Sequence, residues 1–182
     1  MKIMSFSYRG LAGPIKRTTF RRVIILEHLD VIMLQETLGE GEEIKVRLQI
    51  LMPGWVFVTL DAIGRSGGLV VGWNERFVKL LNSWGMESVL GLNFQALDFG
   101  DPFTVFNIYG PYLNQIPFWE SLLNDPLLSG DSVILGGDFN FTMVQAEVWG
   151  PRARADTLTD FFTQLLVEKH FLDIDPIILK PT

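Results

Sequence analysis

The sequence predicts an α/β chain with mixed sheets, and two observations predict it. Strand-length apolar runs alternate with helical patterns, and several strands follow one another with no helix between them. Strands joined by tight connections pair antiparallel, whereas strands separated by a helix can pair parallel, so both ladders are expected. The 182 residues suffice for a sizeable core, and a single domain over 1–182 is expected.

Residues 2–7 read as the first strand. Thr18 or Thr19 offers a cap for a helix to about Leu29, with Phe20, Val23, Ile24 and Leu26 partly on one face. Residues 31–35 are a continuous apolar run ending in an amide, the mark of a strand buried on both faces. Residues 44–51 are a short amphipathic piece stopped by Pro53-Gly54. Residues 55–60, 68–73, 77–81, 89–97 and 103–109 read as a meander of strands. Pro117 suits the first turn of a helix through Leu123, and 132–135 is a further strand. Thr157-Leu158-Thr159-Asp160 has capping-box spacing and predicts a helix to about His170.

Composition narrows the function classes. Hydrophobic residues make up 48% and charged residues 20%, which fits a globular chain and not a disordered one. The absence of cysteine excludes a disulfide framework and thiolate zinc sites. No apolar run reaches a membrane span and Met1 leads straight into strand sequence, so an intracellular protein without a membrane partner is expected. The net charge of −6 argues against a general nucleic-acid coat, because phosphate binding is driven by Lys and Arg. Yet residues 1–26 hold Lys2, Arg9, Lys16, Arg17, Arg21 and Arg22 and no acid. That basic segment reads either as a contact for phosphates or as an ordinary solvated helix face.

Four strands end in groups that carry chemistry. The run 132–135 leads into Gly136-Gly137-Asp138-Phe139-Asn140. On an extended chain Asp138 and Asn140 would point the same way, toward one reacting centre, and the glycines would let backbone approach a ligand. An Asx-type turn after a core strand is the plainer reading. Asp30-Val31-Ile32-Met33-Leu34-Gln35-Glu36-Thr37 ends in an amide and a carboxylate. Phe103-Thr104-Val105-Phe106-Asn107-Ile108-Tyr109-Gly110-Pro111 ends in Tyr, Gly and Pro, and Tyr109 alone would be a core or rim aromatic at a strand end. The N-terminal strand runs through Phe6-Ser7-Tyr8-Arg9 into a turn at Gly10-Leu11.

In this order the four segments resemble the endonuclease/exonuclease/phosphatase superfamily, metal-dependent phosphodiesterases of the DNase I and apurinic-endonuclease type. The wording is most similar to the endonuclease domain of plant LINE-type retrotransposons, roughly SWNVRGL…LQET…GGLxxxW…NxYxP…GDFN, and covers almost the whole chain. The resemblance implies a DNase I-like four-layer α/β sandwich, two sheets packed between helices. It implies Mg²⁺ or Mn²⁺, DNA as substrate, and a nuclear location for a working retroelement enzyme. By the same resemblance Glu36 holds the metal, Asp138 activates the attacking water, Asn140 contacts the scissile phosphate and Tyr109 brings its hydroxyl to it. A hard cation on one or two carboxylates plus waters would supply the charge stabilisation that such hydrolysis needs. Arg9 and Arg65 are further substrate contacts. Gly67-Gly68 matches a glycine pair of the family, and its reading is structural.

Two departures bear on activity. Ser7 stands where the family has the Asn that helps hold metal or phosphate, and a hydroxyl is shorter and lacks amide donors. The family's Ser-Asp-His segment finds no match before Thr182, so an incomplete sandwich is expected. Neither His28, read as a helix-surface residue, nor His170, favoured by the dipole at a helix end, replaces the family's His. Asp173/Asp175 and Asp98/Asp101 read as turn residues. The expectation is a DNA-hydrolysing domain of LINE origin, monomeric, weak as it stands. Its alternative is a truncated relic or binding module without activity.

Overall fold

A computed structural model describes residues 1–9, 13–63, 66–98, 100–130, 132–143 and 156–174. In chain order the elements are β1 (Ile3–Ser7), α1 (Pro14–Leu26), β2 (Val31–Gln35), α2 (Gly41–Leu51), β3 (Trp55–Ile63) and β4 (Ser66–Asn74). They continue with β5 (Val78–Met86), β6 (Val89–Ala96), β7 (Pro102–Tyr109), α3 (Gln115–Leu123), β8 (Val133–Asp138) and α4 (Thr159–Glu168). Two compact units result, Met1–Asp138 and Phe139–Thr182.

The first unit holds two four-stranded mixed sheets, ordered β1-β2-β4-β3 and β5-β6-β7-β8. β1 pairs parallel with β2, and β7 parallel with β8, because α1 and α3 carry the chain back between them. The pairs joined by short turns, β3/β4, β5/β6 and β6/β7, are antiparallel. The expected mixed α/β class is thus observed.

The core explains the sequence pattern. Between the sheets lie Val31, Met33, Val71 and Trp73 on one side and Leu90, Leu92, Phe94 and Val105 on the other. The other face of the first sheet offers Ile32, Leu34 and Val70 to Phe20 and Ile24 of α1 and to Ile44 and Leu48 of α2. β2 therefore faces a core on both sides, which is why its apolar run is unbroken. Among the described residues no helix is long and apolar enough to cross a membrane.

Several boundaries differ from the sequence expectation. α1 begins at Pro14 with Gly13 as N-cap, not at Thr18 or Thr19. Proline fits the first helical position because its missing N–H would be unpaired there anyway. Of the four apolar residues expected on one face, Phe20 and Ile24, about one turn apart, are buried, while Val23 and Leu26 are exposed. β5 continues to Met86. β8 does not stop at the glycines but runs through them to Asp138. The capping box at 157–160 does not form. Asp156 Oδ1 instead accepts from Leu158 N at 2.9 Å, and Thr159 Oγ1 donates to Thr142 O at 3.1 Å.

Both histidines terminate helices through their backbones. After α1, Leu29 N reaches Ile24 O at 3.1 Å and His28 N reaches Ile25 O at 3.3 Å, with His28 at φ 51. After α4, Phe171 N reaches Leu166 O at 2.9 Å and His170 N reaches Val167 O at 3.2 Å, with His170 at φ 59. This paired bonding pattern is a Schellman motif, whose left-handed position glycine usually fills. His28 is therefore a stop signal and not part of the α1 surface.

Candidate active site

Alternation along a strand sends every second side chain to the same face. On the inter-sheet side β1 presents Ile3, Ser5 and Ser7, and β7 presents Phe103, Val105, Asn107 and Tyr109. The inward surface thus turns from apolar to polar at one end. Asn107 is fully buried and fully used. Its Nδ2 donates to Leu34 O at 3.0 Å and Val70 O at 2.9 Å, and its Oδ1 accepts from Gln35 Nε2 at 2.6 Å. Gln35 Nε2 also donates to Ser5 Oγ at 3.1 Å. One amide pair therefore ties β2, β4 and β7 together in a dry environment, where such bonds are strong and their loss costly, and reaches β1 through the exposed Ser5.

Glu36 follows Gln35 directly, and an extended backbone would send it to the opposite face. Its φ of 54 ends β2 and turns the carboxylate toward the same polar end. The neighbours hold this left-handed turn: Gln35 through its amide bonds and Thr37 through its N–H on Gly68 O at 3.2 Å. Glu36 Oε2 accepts from Ser7 Oγ at 2.9 Å and from Arg9 Nε at 3.0 Å, and Oε1 accepts from Tyr109 OH at 3.1 Å. Burial pushes the Glu36 pKa up. The hydrogen bonds from Ser7, Arg9 and Tyr109, with the Arg9 charge, outweigh it and hold the carboxyl below its usual value. Burial, then hydrogen bonds with Tyr112 and Glu36, raise Tyr109 above its ordinary value, so its hydroxyl keeps its proton and can donate.

Asp138 lies opposite Tyr109 in the β7/β8 ladder, and its carbonyl accepts from Gly110 N at 2.7 Å. Alternation places it on the face of Ile134 and Gly136, the inter-sheet face. The two glycines serve packing here. A Cβ on Gly136 would collide with the Met33 side chain, and one on Gly137 with the Ile108 carbonyl. β8 ends at Asp138 and Asn140 has φ 55, so the strand alternation expected to align Asp138 with Asn140 does not reach Asn140. Asn140 belongs to the second unit. Arg65 and Asp175 lie outside the described residues.

The structure therefore brings Ser7, Arg9, Glu36 and Tyr109 into one bonded cluster, with Asp138 in register beside Tyr109. Sequence reasoning missed Ser5, Gln35 and Asn107. Their signal was present: amides and a hydroxyl at inward positions of otherwise apolar strands.

A hard divalent cation takes oxygen ligands and, for Mg²⁺, keeps several waters around one or two carboxylates. The cluster offers one carboxylate, 17% exposed, beside two hydroxyls; the Arg9 guanidinium is a cation paired with that carboxylate and not a ligand. That donor set fits such an ion at a water-rich site. Among the described residues no three His, Cys, Asp or Glu side chains gather into a denser cage.

The sequence model of the Endonuclease/Exonuclease/phosphatase family matches residues 4–171. No curated protein sequence matches the chain. Among solved structures, an AP endonuclease from Archaeoglobus fulgidus superposes with TM-score 0.71 at 14% identity, over 92% of this chain and 70% of that one. The AP endonuclease from Leishmania major gives 0.66 at 17% identity, over 92% and 65%. D. rerio TDP2 complexed with a single-strand DNA product gives 0.59 at 18% identity, over 77% and 60%. At these identities the likeness is one of fold. The chain spans 61% of the length of a family protein from Bacteroides thetaiotaomicron and 64% of the human Nocturnin catalytic domain.

Proposed function

This chain belongs to the endonuclease/exonuclease/phosphatase family, and from that premise we propose that it hydrolyses phosphodiester bonds of DNA at the Glu36 cluster. The observation that carries the reading is Glu36, a depressed carboxylate held by Ser7, Arg9 and Tyr109 beside Asp138. A divalent cation on Glu36, with Ser7 nearby, would offset the negative charge that builds on the phosphate oxygens. As the water oxygen bonds to phosphorus and the bond to the leaving oxygen breaks, Asp138 takes the water's proton and the leaving oxygen takes one from solvent water. Tyr109, protonated, donates to a phosphate oxygen, and Arg9 contacts the same phosphate. The basic residues of α1 draw the DNA backbone toward the site. The retroelement origin rests on the wording of the motifs alone.

A second reading, a binding module without activity, is favoured by one observation: Arg9 already pairs with the Glu36 oxygen that a cation would use. Relaxation of supercoiled plasmid in Mg²⁺ or Mn²⁺ separates the two. The nuclease reading expects nicking that falls roughly 10²–10⁴-fold in Asp138→Ala, the usual cost of losing a general base. No nicking above that of Asp138→Ala would favour the binding module.

A further inference from the structure

Beside Tyr109, on the side away from β8, the first unit carries a cleft of about 240 Å³. Leu60, Leu69 and Pro111 give it apolar walls, Gly67-Gly68 a floor without side chains, and Tyr112 an aromatic rim. Glu87 and Ser88 supply hydrogen-bond acceptors, whereas the Asp61 side chain turns to the other face of β3, where its Oδ1 accepts from Gly41 N at 2.7 Å. Drug-sized ligands occupy roughly 300–1,000 Å³, so this space suits a flat fragment of about one ring system. Tyr112 is 68% exposed and stands edge-on to Tyr109, ring centres 6.4 Å apart. Its own face is left to solvent on a loop stiffened by Pro111, so stacking there costs little ordering. Gly68 has no alternative: a side chain would run into Thr37 Oγ1 at 2.6 Å.

The charges decide what enters. Glu87 repels a phosphate, so the nucleic-acid backbone belongs on the Glu36 side of Tyr109 and not in the cleft. Carboxylates accept hydrogen bonds, and among the bases adenine and cytosine offer an exocyclic amino group where thymine offers a carbonyl. Resting on the phosphodiesterase reading, we infer that this cleft is a base subsite. It stacks the nucleobase next to the bound phosphate on Tyr112 and prefers amino-bearing bases through Glu87.

The test is fluorescence anisotropy with labelled (dA)6, (dC)6 and (dT)6 in Mg²⁺, on the full chain and on Tyr112→Phe, Tyr112→Ala, Glu87→Gln and Glu36→Ala. The subsite expects (dA)6 and (dC)6 to bind about fivefold or more tighter than (dT)6. Tyr112→Ala should weaken both about tenfold, within the range of single base–aromatic stacks, while Tyr112→Phe keeps them. Glu87→Gln should narrow the preference, because an amide can also donate to the thymine carbonyl. Glu36→Ala should weaken all three alike. Equal binding of the three oligonucleotides, unchanged in Tyr112→Ala, would overturn the subsite while a shared loss in Glu36→Ala upheld the phosphate site. Base preference lost in Tyr112→Ala but indifferent to Glu36→Ala would uphold the subsite and count against the phosphate site. No binding of any oligonucleotide would overturn both.

Discussion

Two polar groups sit within one residue step of each other and have opposite characters. Ser5, Gln35 and Asn107 are knitted together between the sheets, with Gln35 and Asn107 buried and bonded to backbone on neighbouring strands. Ser7, Glu36, Arg9 and Tyr109 meet at the rim, where Arg9 is 78% exposed. The interior group is neutral and its partners are fixed, so it contributes position. The rim group is charged, and its Arg9 pair is screened by solvent, so it contributes chemistry more than stability. A carboxylate can thus be fixed in direction and still reach the surface: Glu36 is anchored through the residue before it.

Asn107→Leu should break this comparison most strongly. The substitution keeps volume but strands the Leu34 and Val70 carbonyls and the Gln35 amide, each worth about 1–3 kcal/mol when buried and unpaired. A loss of about 3 kcal/mol or more by urea denaturation is expected. A loss below about 1 kcal/mol would show that water or repacking satisfies these groups and that the network is not the anchor.

The rim group should show itself through pH. Glu36 has a folded pKa below its ordinary 4.5, so its bonds stabilise the protein above that pH and are lost as pH falls through the folded value. Acidification from neutral to below 4.5 should therefore cost the parent chain more stability than Glu36→Gln. Parallel stability curves for the two, measured by thermal melting across pH, would remove the depressed carboxylate from the account.

The smallest effect lies far from both groups. His28 occupies a left-handed position at φ 51, which glycine adopts without steric cost. His28→Gly should raise stability by a few tenths to about 1 kcal/mol in urea denaturation. Destabilisation would mean that the His28 side chain makes a contact outweighing its backbone.

Much of this was legible in the sequence because burial leaves a pattern. β2 reads as a doubly buried strand from Val31–Gln35, and β7 reads as a strand through Tyr109 that the structure buries at every position from Phe103 on. The start of α1 was misplaced because Thr18 and Thr19 look like caps, while Gly13-Pro14 carries the boundary. Glu36 was legible as a candidate, but its direction was not, since nothing in Gln-Glu-Thr announces a left-handed residue. Asn107 stayed unread for a related reason: an amide inside a strand shows its value only when Leu34, Gln35 and Val70 arrive from other strands.

Mn²⁺ is the direct probe of the proposal that Glu36 holds the cation. In amide NMR spectra of the full chain, substoichiometric Mn²⁺ should broaden signals around Ser7, Glu36 and Tyr109 first, and Glu36→Gln should abolish that pattern. Broadening centred instead on the exposed acids Glu40, Glu42 and Glu43 before and within α2, unchanged in Glu36→Gln, would contradict it.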